Sequence, residues 1–181
     1  CTVSNNGRPH RFLATSIFEL PFGKARAFRN TGWLSHLVGG WQFGLTYEWQ
    51  PGPALSWPNV FYHGEVEDIG RADRTLDRWF NTEGFERSAS KGPAAFHRRV
   101  FPTVIESVRA DMTNQLNANI LRDFRFGERW GFQLRLDALN LQNRSQFDAP
   151  STDPYSTNFG KVTNQTATTN RWIQIQARLR F

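Results

Sequence analysis

The chain of 181 residues is poor in cysteine, lysine and methionine, and it has no long apolar run. Its one cysteine is Cys1, so no disulfide can form within it and no zinc site can be built from cysteines. The histidines stand at 10, 36, 63 and 97, too far apart for metal-ligand spacing. Lysine occurs only at 24, 91 and 161, so the net charge of +6 and the pI of about 10.2 rest on scattered arginines. The one dense basic run is His97-Arg98-Arg99, which reads as solvated loop rather than a nucleic-acid stripe. No stretch reaches the roughly 18 apolar residues of a membrane-spanning helix. Nucleophile-elbow, phosphate-loop and His–carboxylate motifs are all missing, so neither enzyme activity nor a bound cofactor is expected. The acids Glu65, Glu67, Asp68, Asp73 and Asp77 lie among arginines and read as a solvated loop, with calcium binding the weaker reading. The sequons at Asn143 and Asn164 read as chance. The chain does not start with Met and shows no signal peptide, which suggests a piece cut from a longer protein.

Aromatic residues are abundant, at 14% with seven tryptophans, while mean hydropathy is −0.57. That combination suits a sheet with one greasy and one wet face. Alternation is strictest at the C-terminal end, over 171–181. Ile173, Ile175, Ala177, Leu179 and Phe181 share one side; Trp172, Gln174, Gln176, Arg178 and Arg180 share the other. The length matches the roughly 9–11 residues of a tilted transmembrane strand. The segment 41–50 repeats the pattern, with Trp41, Phe43, Leu45, Tyr47 and Trp49 opposite Gln42, Gly44, Thr46, Glu48 and Gln50. Further strands are expected at 10–20, 113–126 and 130–141. In 113–126 the phase breaks, since Arg122 falls on the apolar side and Leu121 on the polar side. A bulge near Leu121 or a snorkelling Arg122 would each explain it.

These five strands predict an all-β, antiparallel, up-and-down segment of a transmembrane β-barrel, incomplete because such barrels need about eight strands or more. The stretches 51–112 and 143–170 read as long loops, with Ala54–Trp57 a possible extension of the second strand. Trp33–Val38 reads as a short amphipathic helix ended by Gly39-Gly40. Setting Phe181 at the periplasmic rim puts both long loops outside and the short connection 127–129 inside. Phe18, Trp41, Phe43, Phe124, Phe126, Trp130 and Phe132 then gather, with Phe181, near the periplasmic end as an aromatic girdle. Gln133, Arg135, Asp137, Gln174, Gln176 and Arg178 become candidates for the lumen lining, with opposite charges on neighbouring strands expected to pair.

Several segments carry a family likeness in their order and spacing. They are Arg8–Phe12, Glu19–Lys24, Gly39–Gln42, Arg78-Trp-Phe-Asn-Thr82, Arg122–Phe126, Leu136–Asn140 leading to Gln146–Pro150, and Phe159-Gly-Lys-Val162. The chain resembles the C-terminal barrel part of TonB-dependent outer-membrane receptors, within the Oar-like group that bears a carboxypeptidase-regulatory-type domain. The resemblance implies a location in the bacterial cell outer membrane and a full barrel of about 22 strands. It further implies an internal plug, a TonB box, and uptake of a large solute such as a siderophore, glycan or peptide. The implied partners are outer-membrane lipid, the remaining barrel strands and plug, TonB through the missing N-terminal part, and the barrel assembly machinery. That machinery would read Phe181 with Leu179 and Ile175. The alternative is a soluble, aromatic-rich β-sheet module that binds glycan or single-stranded nucleic acid by stacking. Against it, the aromatics share a face with Leu and Ile rather than with Arg and Gln.

Overall fold

A computed structural model describes residues 7–20, 39–127, 129–166 and 170–181. The strands are β1 (Phe12–Glu19), β2 (Trp41–Gln50), β3 (Ala54–Ser56), β4 (Val104–Arg109), β5 (Thr113–Phe126), β6 (Trp130–Leu139) and β7 (Trp172–Arg180). Five of them form one sheet in the order β1-β2-β5-β6-β7, and β3 pairs with β4. The pairs β1/β2, β5/β6 and β6/β7 are antiparallel. The sheet is open, with β1 and β7 at its edges. The five expected strands are therefore present, in chain order across the sheet.

Local chemistry sets their ends. Gly40, at φ +80°, turns the chain into β2, and Pro51 ends β2 because it has no N–H to donate. Gly127, at φ +67°, opens the tight β5–β6 connection. Asn140, at φ 51°, closes β6 in the left-handed region that asparagine tolerates better than most residues. Its buried side chain donates to Arg144 O at 2.9 Å and accepts from Arg144 N at 3.1 Å, while its own N–H donates to Asn117 Oδ1 at 2.9 Å.

The chain divides into two compact units. A sheet unit comprises Phe12–Trp49, Asn114–Arg144 and Thr169–Phe181; a loop unit comprises Cys1–Arg11, Gln50–Thr113 and Ser145–Thr168. The hydrophobic core belongs to the loop unit. Trp57 is its centre, with ring centroids 4.8 Å from Phe80, 5.6 Å from Phe85 (stacked) and 5.7 Å from Phe101. Phe159, from the second long loop, packs at 5.3 Å from Phe80 and 5.0 Å from Phe85. Leu55, Val60, Ile69, Trp79, Ile105, Val108 and Ala110 complete the buried set. Burying each large apolar side chain contributes about 1.5–3 kcal/mol, which is how segments with so little regular structure hold one arrangement.

Two expectations change here. The stretch 51–112 is not simply loop, because it contains β3, β4 and this core. Ala54–Ser56 does not extend β2 but pairs with β4, since Pro51 and Pro53 withdraw two donors from any continuation. The two long loops are also stitched together by backbone, through Trp79 N to Gly160 O and Val162 N to Leu76 O, both 2.8 Å. The segments Arg78–Thr82 and Phe159–Val162, singled out in the sequence, thus meet in one core. The expected helix at Trp33–Val38 lies outside the described residues.

Gly52 marks the tightest backbone approach in the loop unit, since a Cβ there would collide with the carbonyl oxygens of Ala110 and Asp111. Gly52→Ala should lower the stability of the loop unit by about 1–3 kcal/mol, read as faster limited proteolysis within 51–112. Gly70→Ala, where a Cβ meets only ordinary contacts, should leave the digestion rate unchanged.

Candidate functional site

The sheet unit has two chemically opposite faces, and uninterrupted register creates them. A one-residue slip would exchange the faces, yet β5, β6 and β7 stay in step from Ala118↔Ala138↔Ile173 to Phe124↔Phe132↔Leu179. On the polar face the rows are Asn119–Asp137–Gln174, Leu121–Arg135–Gln176, Asp123–Gln133–Arg178 and Arg125–Gly131–Arg180. On the apolar face they include Ile120–Leu136–Ile175 and Arg122–Leu134–Ala177. Gly44 on β2 belongs to the polar face, where a Cβ would lie 2.7 Å from Asn119 Oδ1, so the asparagine side chain crosses the space that glycine leaves.

The six lumen-lining candidates occupy three adjacent rows of this polar face. Arg135 makes three hydrogen bonds to Asp137 at 2.8–3.0 Å, from Nε and Nη2, and Gln133 Nε2 donates to Asp123 Oδ1 at 3.0 Å. Charges were expected to pair between neighbouring strands. At Arg135 the ion pair joins residues two apart on β6, because side chains i and i+2 lie on the same face and the positions opposite Arg135 hold Leu121 and Gln176. A shallow depression of about 250 Å³ opens on this face beside Thr15, Gln42, Thr46, Asn119 and Arg135. Sequence reasoning left Asn119, Asp123, Arg125, Gly131 and Arg180 out of the site. Their parity was visible, but their neighbours across strands were not.

The apolar face is largely uncovered. Ile173, Ile175 and Leu179 are each about two-thirds exposed. Trp41 and Phe132 are half-buried, so neither they nor Ile175 lie inside a dry globule. The girdle candidates form a band at the β5–β6 hairpin end of the sheet. Phe18 is opposite Phe43. Trp41 meets Phe124 edge-on at 6.5 Å, Phe124 meets Phe132 at 5.8 Å and stacks with Phe126 at 6.5 Å, and Trp130 meets Phe181 at 6.0 Å.

Arg122 sits inside this band. No bulge rescues it, because the ladder is continuous and Arg122 stays opposite Leu134 on the apolar face. Its guanidinium carbon lies 4.3 Å from the Phe124 ring centre and 5.4 Å from that of Trp41, and the residue is buried. Two aromatic faces thus shield the charge, an attraction of about 0.5–2 kcal/mol per contact.

In the loop unit the acids do not converge. Among the described residues no three His, Cys, Asp or Glu side chains are placed to share a metal ion. The Arg71 guanidinium holds Asp73 below the usual carboxylate range, and Arg78 reaches Glu83 at 2.8 Å. Tyr62, beside the core, is raised by burial and then by Asp68 and Glu65.

A two-faced antiparallel wall with an aromatic band is what an outer-membrane barrel requires, and comparison with protein families agrees. The model of the family described as Outer membrane beta barrel domain matches residues 2–174. The chain belongs to this family. No curated protein and no solved structure matches it. As an outer-membrane β-barrel domain it resides in the bacterial outer membrane, and its open sheet is a stretch of barrel wall.

The Arg122 arrangement generates a double-mutant test. Trp41→Leu and Arg122→Met should each destabilise the barrel, and the pair should be less costly than the sum by about 0.5–2 kcal/mol. The measurement is urea unfolding in lipid vesicles; additive losses would show that the ring does not shield the charge.

Proposed function

We propose that the chain is part of the barrel of a TonB-dependent, Oar-like transporter that takes up a large solute such as a siderophore, a glycan or a peptide. Its role is transport rather than catalysis. The supporting observation is the contrast between connections. The β5–β6 turn is tight, whereas the β2–β5 and β6–β7 connections share one aromatic core. A small passive pore has no need of so much ordered loop, but a receptor that must first capture a bulky solute does. In this reading the apolar face meets lipid, the Gln/Arg face meets water, and the open edges pair with further strands of the same protein. A plug and TonB would supply gating and energy. The soluble stacking module is disfavoured by family membership and by the mixing of aromatics with Leu and Ile on one face.

The experiment is uptake in cells that carry the full-length gene. Solute-dependent growth should disappear on deletion of the gene and also on collapse of the inner-membrane proton gradient. Uptake that survives a protonophore would replace the transporter reading with a passive pore.

Phe181 lies just past β7 and is almost fully exposed. We assign it, with Leu179 and Ile175, to recognition by the barrel assembly machinery. Removing Phe181 from the full-length protein should lower its outer-membrane level several-fold, read by immunoblot of membrane fractions; unchanged levels would leave only packing on Trp130.

A further inference from the structure

At the hairpin end of the polar face, the row Arg125–Gly131–Arg180 crosses three strands. Neighbouring strands lie about 4.8 Å apart, so the two arginine backbones stand roughly 10 Å from each other with a glycine between them. Glycine leaves the middle of the row empty, and a depression of about 230 Å³ opens there, bordered by Asp123, Arg125, Arg129, Gly131, Gln133 and Arg180. One row further along, Arg178 stands opposite Gln133. The charge is unbalanced. Among the described residues Asp123 is the only acid on the border, and it already accepts from Gln133 Nε2 at 3.0 Å. The side chains of Arg125, Arg129, Arg178 and Arg180 make no hydrogen bond or ion pair with any described residue. The contrast with Arg135, two rows away and hydrogen-bonded to Asp137, is direct.

We propose that this notch is a binding station for an oxyanion of the phosphate class, clamped between Arg125 and Arg180 over Gly131. A tetrahedral phosphoryl group presents several acceptor oxygens, and guanidinium forks on two sides satisfy them bidentately, which lysine could not do. Arg178 and Arg129 add positive potential along the approach from either side. The inference rests on the polar face being the wet face of the barrel. It does not depend on TonB coupling or on which solute is carried.

The Cβ environment of Gly131 supplies a clean test. A Cβ there would meet only Arg180 Cβ at 3.8 Å and Phe124 O at 3.9 Å, ordinary contacts that a side chain can make without strain. Gly131→Leu therefore fills the notch while keeping both arginines. Purified full-length protein in detergent should bind inorganic phosphate saturably in calorimetry, and weakly enough to be displaced by salt. Arg125→Gln, Arg180→Gln and Gly131→Leu should each weaken that binding at least about tenfold, whereas Arg98→Gln in the loop unit should not change it. Undiminished binding in any of the first three variants overturns the clamp, as does binding to phosphatidylglycerol vesicles without binding to free phosphate, which would place these arginines at lipid. Loss of phosphate binding with solute uptake intact would leave the transporter reading standing, and the reverse would leave the clamp standing.

Discussion

Backbone register is the constraint on which this molecule depends. From Ala118 to Phe126 the β5–β6 ladder never slips, and β7 follows β6 in step. Because the side-chain period is two, each registered row keeps one chemistry on each face. A single inserted residue would carry Arg135 and Asp137 towards the side of Ile175 and Phe132. Everything assigned to this domain, from the lipid contact to the arginine notch, follows from that locked alternation.

Arg122 shows how such a sheet absorbs an exception. On a bare lipid-facing surface an arginine costs about 2–4 kcal/mol near the bilayer centre and less towards the edges. Here it lies near the hairpin end, where Trp41 and Phe124 stand against it. Part of the aromatic band therefore covers a charge that the strand pattern leaves on the apolar side.

The loop unit solves a different problem. Long connections with little regular structure expose backbone groups and lose much conformational entropy on ordering. Trp57, Phe80, Phe85, Phe101 and Phe159 repay that loss by packing as one cluster, and the Trp79–Gly160 and Leu76–Val162 hydrogen bonds join its two chain segments. Under the proposed transporter role, an ordered platform of this kind would lose less freedom on binding a solute than mobile loops would.

Strand positions and their two faces were legible in the residues, because alternation such as Trp41-Gln-Phe-Gly-Leu-Thr-Tyr-Glu-Trp49 is local information. The limits of β2 and β5 emerged unchanged from that pattern. The partners across strands were not legible. Nothing in the run of residues says that Gly131 stands between Arg125 and Arg180, or that Arg135 turns to Asp137 rather than to a neighbouring strand, since register is decided by pairing between distant segments. The loop core was hidden for a similar reason: Trp57, Phe80 and Phe159 have no common period, and only the folded chain brings them together. The sequence by itself determined the alternation of faces along the strands, through the geometry of the strand; the tertiary structure alone decided which side chains meet, and on which face Arg122 stays.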